Sequence, residues 1–258
     1  MESKNPIFSR QSNGQQAWGT PTPTAEQLQG MYNSPSYAPT AQRTMTIDDV
    51  VVRGFITLGT LAVSAAVAWT LNFGTAALLI GVIVGLILGL IVSFKQSTNP
   101  VLILGYAVAY GVAIGVVSHQ YNDLYHGIVF QAVVGTALAF AAMLTVYSLR
   151  IIRVTPKFTK FVVAAALGLM GLVLVNLVAS FFIPEGIGIR SGGALAYVFS
   201  IAVILIGCFF LLLDFNEVEQ GVKAGAPEKY SWLMAFGLTV TLVWIYLEIL
   251  RLLSYLRE

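Results

Sequence analysis

The sequence predicts an all-α polytopic membrane protein, a bundle of seven transmembrane helices, and three observations support this fold class. The chain of 258 residues is 57% hydrophobic and only 10% charged, whereas soluble domains carry about 25% charged residues. Most of its apolar segments reach the roughly 20 residues that a helix needs to cross a bilayer. Short polar breaks separate these segments, so consecutive helices are expected to be antiparallel neighbours. The predicted segments are 52–71, 74–94, 101–118, 128–149, 161–183, 194–214 and 232–254.

Residues 1–45 differ in composition from the rest of the chain. They are rich in Gln, Ser, Thr, Pro, Asn and Gly, as in SNGQQAWGTPTPT, and cannot bury enough apolar surface to fold. We therefore predict a disordered polar cytoplasmic tail at 1–45 and a seven-helix transmembrane domain at 46–258. At the start of the first helix, Thr46 and Asp49 have the spacing of a capping box, and Asp49 and Arg53 have that of an ion pair.

The positions of Lys and Arg predict the orientation in the membrane. These residues concentrate in the tail and in alternate breaks, whereas the intervening breaks hold only Arg190. We therefore expect a multi-pass protein with its N-terminus in the cytoplasm. The sequence leaves open whether the last segment spans the membrane or re-enters, because Arg251 and Arg257 lie at its far end. The cations assigned to the cytoplasmic side are Lys4, Arg10, Arg43, Arg53, Lys95, Arg150, Arg153, Lys157, Lys160, Lys223 and Lys229.

Glycines recur every four residues in two of the segments. Gly81, Gly85 and Gly89 share one face of the second segment, and Gly111 and Gly115 share one face of the third. Small residues at this spacing allow helices to approach closely in lipid. We interpret the glycines as helix-packing positions, although glycine is also common in membrane helices generally.

The motifs of soluble enzymes do not occur in the chain. It has no Gly-x-Ser-x-Gly elbow, no His-Glu-x-x-His pair and no glycine-rich phosphate loop followed by Lys, so we predict a non-enzyme without a cofactor. The net charge of +2 does not indicate a nucleic-acid partner. His119 and His126 flank a short break and are better interpreted as solvated loop residues than as metal ligands. The single cysteine, Cys208, is interpreted as an apolar packing residue.

Two acids lie in or beside apolar segments, where a charge is costly. Asp214 follows the run FFLLL, and Glu248 lies within WIYLEILRLL. Intramembrane carboxylates usually mark ion or proton pathways. The alternatives are that Asp214 lies at a helix end among lipid headgroups and that Glu248 pairs with Arg251 three residues on. Asn176, near the middle of the fifth segment, either joins two helices or lines a pathway.

Three stretches of the chain resemble the Bax inhibitor-1 family, in a bacterial form. NPVLILGYAVAYGVAIG at 99–115 resembles the third helix of that family, and LLLDFNEV at 211–218 resembles the end of its sixth helix. IYLEILRLL at 245–253 is similar to its C-terminal motif, and Asn176 matches an asparagine of its fifth helix. The resemblance covers roughly residues 50–256 and implies a seven-helix protein of the bacterial plasma membrane.

The resemblance also implies a function and a site. The best-described members of the family are similar to pH-gated calcium leak channels, in which carboxylates on the last two helices share a proton and bond a basic residue of the second helix. Carried over, Asp214 is the first carboxylate, Glu248 the second, and Lys95 the nearest candidate for the basic partner. The chain departs from the family pattern at Tyr110, where the family has an acid, and its second helix contains no acid.

The spacing of the two carboxylates opposes the motif. They lie 34 positions apart, about ten more than is usual in the family. If the hairpin turns at 224–227, Asp214 lies about 15 Å from the turn and Glu248 about 30 Å from it. The motif therefore favours a shared proton, and the spacing opposes one.

Two functions follow from these observations. The first is a pH-sensitive leak channel for cations, with calcium as the permeant ion. The second is a regulatory membrane protein that modulates a partner such as a membrane-bound AAA protease. The polar N-terminal tail suits this function, because a disordered tail can bind a cytosolic partner. The lipid bilayer is the expected environment in both cases.

Overall fold

The structure is a computed structural model that describes residues 24–26, 29, 43–183 and 186–257. The chain divides into two units, 1–42 and 43–258, and the helices described below belong to the second unit. Most of the predicted tail lies outside the described residues, so its predicted disorder stays a prediction.

Seven helices in the described part of the chain are long and apolar enough to cross a membrane, which confirms the predicted fold class. The last of them is continuous over 26 residues, a length sufficient to span the bilayer. The helices are α1 Ile47–Thr70, α2 Thr75–Lys95, α3 Pro100–Leu124, α4 Ile128–Ser148, α5 Pro156–Ala179, α6 Ala194–Lys223 and α7 Tyr230–Tyr255.

Helix α6 extends nine residues beyond the predicted segment 194–214. The polar stretch after Asp214 continues the helix because Phe215 and Val218 still face the protein interior. An ion pair between Glu219 and Lys223, four residues apart, supports the last turn. Asp214 is therefore about 13 Å from the end of its own helix and is not a helix-end residue, whereas its depth relative to the lipid headgroups stays a prediction.

The entry into α1 confirms the predicted capping box. The backbone N–H of Asp49 donates to Thr46 Oγ1 at 3.2 Å, and the backbone N–H of Thr46 donates to Asp49 Oδ2 at 2.9 Å. The predicted ion pair between Asp49 and Arg53 is wrong, because each side chain has another partner. Asp49 pairs with Arg43 at 3.2 Å, whereas Arg53 pairs with Glu228 at 2.6 Å in the turn between α6 and α7.

Residues 43–45, assigned above to the tail, contact the same turn. The backbone N–H of Met45 donates to the carbonyl of Ala226 at 2.8 Å, and that of Glu228 donates to the carbonyl of Arg43 at 2.9 Å. Met45 is only 2% exposed and packs with Val50 and Val218. The folded unit thus begins before the N-cap of α1.

Helices α3 and α7 are the most buried of the seven, and α4 and α5 are among the least buried. Helix α3 packs against α1 and α2, while α7 packs against α6, α1 and α4. The apolar side chains exposed on the outer helices, such as Leu86 and Leu167, are suited to lipid. The interior of the bundle is therefore built around α3 and α7.

The predicted packing glycines all lie at helix contacts. On α2, a β-carbon at Gly81 would lie 2.7 Å from the carbonyl oxygen of Ala109, and Gly85 and Gly89 face the rings of Tyr110 and Tyr106. On α3, Gly111 and Gly115 face the backbone of α1, where a β-carbon at Gly115 would overlap the carbonyl of Ala65. This geometry is the close approach that small residues permit.

Candidate functional site: the Asp214 cavity

Asp214 is half-buried between α6 and α7. The hydroxyl of Thr241 donates a hydrogen bond to Asp214 Oδ2 at 2.7 Å. One turn earlier on α7, a β-carbon at Gly237 would lie 3.9 Å from Asp214 Oδ1. The α7 face opposite Asp214 therefore carries a hydroxyl and a glycine.

A cavity of about 180 Å³ adjoins this carboxylate at the end of the bundle where α2 ends and α7 begins. Its polar lining combines two carboxylates, an amide and a hydroxyl. Oxygen ligands of these kinds are the ones that hard cations such as calcium prefer. The residues that line the cavity are Ser93, Gln96, Asp214, Glu217, Leu233, Met234, Phe236 and Gly237.

Aromatic side chains stand beside the cavity on the side of the bundle interior. Phe236, which lines the cavity, meets Tyr106 edge to face with ring centroids 5.0 Å apart. Tyr106 stacks on Tyr110 at 5.3 Å, within an apolar cluster that includes Val92 and Ile103. The cavity wall at Phe236 is thus continuous with a packed aromatic cluster of α3 and α7.

Glu248 is a deeply buried carboxylate, 3% exposed, with partners of its own. Ser200 donates a hydrogen bond to its Oε1 at 3.0 Å, and Arg251 donates to its Oε2 at 2.7 Å. Glu248 thus forms the local ion pair with Arg251, which was one of the two alternatives above.

The structure does not bring Asp214 and Glu248 together. It therefore does not contain the proton-sharing pair that the motif favoured. Asp214 contacts α7 at Thr241, seven residues or about 10 Å along the helix from Glu248. The cause is the spacing: α6 and α7 are both continuous helices through these positions, so the residue count along each helix sets the height of its carboxylate.

Lys95 is exposed at the last residue of α2 and forms no ion pair with any residue that the structure describes. The next residue, Gln96, caps the helix in the left-handed conformation with φ 48° and lines the cavity with Asp214. At the cavity, the end of α2 thus presents an amide and not the amine of Lys95.

Asn176 bonds the backbone of the loop that follows α5, at Ile187. This contact differs from the two interpretations above, a bond between two helices and the lining of a pathway. Helix α5 ends at Ala179, so Asn176 lies in its last turn and not near the middle of the helix. Its Oδ1 accepts a hydrogen bond from the backbone N–H of Ile187 at 3.0 Å. Gly186 has a positive φ of 65° and lies so close to Asn176 that a β-carbon would come within 2.6 Å of Oδ1.

Four side chains that the sequence did not single out complete these sites: Ser93, Gln96, Ser200 and Thr241. Hydroxyl side chains in apolar helices commonly donate to the backbone of their own helix, as Thr136 does to Ala132. A serine or threonine in the sequence therefore does not indicate a functional site. Glu217 had a weak signal, since it follows Asp214 by three residues and falls on the same helical face.

The fold and site define a multi-pass membrane protein with a polar, acid-lined cavity at one end of a helical bundle. A profile of the family described as Bax inhibitor 1 like matches residues 5–258, nearly the whole chain. The chain therefore belongs to the Bax inhibitor 1 like family, as the resemblance indicated. It has no significant match among curated proteins.

Proposed function

We propose that this protein is a pH-sensitive cation leak channel of the bacterial plasma membrane, with calcium as the permeant ion. The observation that carries the proposal is the cavity in which Asp214, Glu217 and Gln96 present oxygen atoms to a common space. Intramembrane carboxylates beside such cavities typically belong to ion or proton pathways. The role is transport, not catalysis.

Asp214 is the titrating group of the proposed mechanism. When it is ionised, its carboxylate attracts a cation into the cavity, whereas protonation removes that charge. Phe236 and Tyr106 are in contact beside the cavity, and in the proposed mechanism this contact opens when an ion passes. Because a single carboxylate responds, flux should rise with pH as a one-proton titration and fall as Asp214 is protonated.

The proposed orientation places the cavity at the cytoplasmic end of the bundle. The cavity lies beside the break between α2 and α3, which Lys95 immediately precedes, and the break between α6 and α7, which contains Lys229. By the positive-inside rule these breaks, and the N-terminus with them, lie in the cytoplasm. Asp214 would then respond to cytoplasmic pH.

Calcium flux into liposomes, measured against pH with a trapped indicator dye, tests the proposal. Replacing Asp214 by Asn removes the charge and keeps the shape, so the pH dependence should flatten. Glu248→Gln is the matched control, because that carboxylate lies outside the cavity and the pH midpoint should not move. An Asp214→Asn protein with the wild-type pH profile refutes the mechanism. Absence of calcium flux at every pH would favour the regulatory role beside a partner such as a membrane-bound AAA protease.

A further inference from the structure

Thr241 is bonded across the helix interface to the carboxylate of Asp214, at 2.7 Å. It is only 6% exposed, so little water competes for this bond. A buried threonine in a helix commonly donates to the carbonyl four residues earlier, as Thr239 does to Ala235 at 2.7 Å. Thr241 instead donates to a side chain of α6, which gives its hydroxyl a role that its neighbour does not have.

The hydrogen bond from Thr241 is the principal polar contact of the Asp214 carboxylate among the described residues. Ser93 and Gln96 of α2 share the cavity, and Gly237 of α7 offers no side chain. Glu217 on α6 is the one other titratable group among the described residues that line the cavity, and it is exposed. Glu217 is thus a second carboxylate at the cavity, whereas Thr241 is a hydrogen-bond donor to Asp214.

We propose that Thr241 sets the proton affinity of Asp214 and so acts as a positioning residue for the pH response. A hydrogen bond donated to a carboxylate stabilises the ionised form relative to the protonated one. Without the hydroxyl, Asp214 keeps its proton to higher pH. The proposal deepens the channel function above, on which its physiological meaning rests, but the proton affinity is measurable without transport.

The test is an infrared titration of the full-length protein in lipid nanodiscs. The carboxylic acid C=O band of Asp214 is identified by its loss in Asp214→Asn, and its intensity is followed against pH. Thr241→Val keeps the branched shape and removes the hydroxyl. We expect the titration midpoint to rise by about one pH unit, which corresponds to ~1.4 kcal/mol. Thr241→Ser should restore the wild-type midpoint, and Thr239→Val, the matched control on the same helix, should leave it unchanged.

An unchanged or lowered midpoint in Thr241→Val overturns the proposal. A merely structural role of Thr241 would reduce thermal stability and leave the midpoint in place. If the valine variant does not fold, Thr241→Ala also lacks the hydroxyl and is judged by the same criterion. A protein that passes no calcium but shows the shift would refute the channel function and retain the role of Thr241.

Discussion

Glu248 should stabilise the fold through its ion pair with Arg251 and independently of Asp214, and a pair of double-mutant cycles measures this. Glu248→Gln removes the charge while its amide oxygen still accepts from Ser200. Breaking a fully buried ion pair costs about 3 to 5 kcal/mol. The side chain of Arg251 is 24% exposed and can reach water, so we expect about 2 kcal/mol for Glu248→Gln. Arg251→Gln leaves Glu248 buried without its cation and should cost more, about 3 kcal/mol.

The assay is the free energy of unfolding in mixed detergent micelles for the single and double variants. The cycle of Glu248→Gln with Arg251→Gln should show a coupling energy of about 1 to 2 kcal/mol, because the residues are in contact. The cycle of Glu248→Gln with Asp214→Asn should be additive within about 0.5 kcal/mol, as expected for separated sites. Coupling in the second cycle with additivity in the first would refute the separation of the two carboxylates and restore the proton-sharing hypothesis.

Two further predictions concern packing and the N-terminal region. Gly115→Ala should lower the free energy of unfolding by about 2 kcal/mol, because the new methyl group meets the backbone of Ala65. Gly59→Ala is the control and should not lower the free energy of unfolding, because Gly59 has open space around it. Equal losses of stability in the two variants would contradict the packing role of Gly115. Deleting residues 1–42 should leave thermal unfolding in detergent nearly unchanged, whereas deletion through Thr46 removes the N-cap and the buried Met45 and should cost about 3 kcal/mol. A large loss from the shorter deletion would show that the tail itself stabilises the bundle.

The helices were predictable because hydropathy and length are properties of single segments. The seven segments, the capping box at Thr46 and the turn near 224–227 all depend on residues close in sequence. The extent of α6 was missed because its last turns are polar on one side only, with Val218 buried opposite exposed Glu217. Segment boundaries drawn from mean hydropathy end where the polar residues begin and do not detect such an amphipathic extension.

The partners of the buried polar groups were less predictable, because they depend on the relative register of two helices. The local motif around Glu248 suggested a pair with Asp214, while counting residues from the turn indicated that they lie at different heights. The count was the better guide, since it uses the fixed rise of a helix and needs no conserved role for the motif. The bond between Thr241 and Asp214 follows from the same register, but only once the α6 and α7 boundaries are known.

The same register explains why the two acids should have different roles. Both oxygens of Glu248 have a partner within the protein, one from Ser200 and one from Arg251. Asp214 forms no ion pair among the described residues; it has one hydroxyl partner and a cavity. A carboxylate in that setting gains from either a proton or an entering cation, and the two compete for the same oxygens. In the proposed mechanism that competition assigns pH sensitivity and cation binding to one residue, so Asp214→Asn should remove both while Glu248→Gln should remove neither.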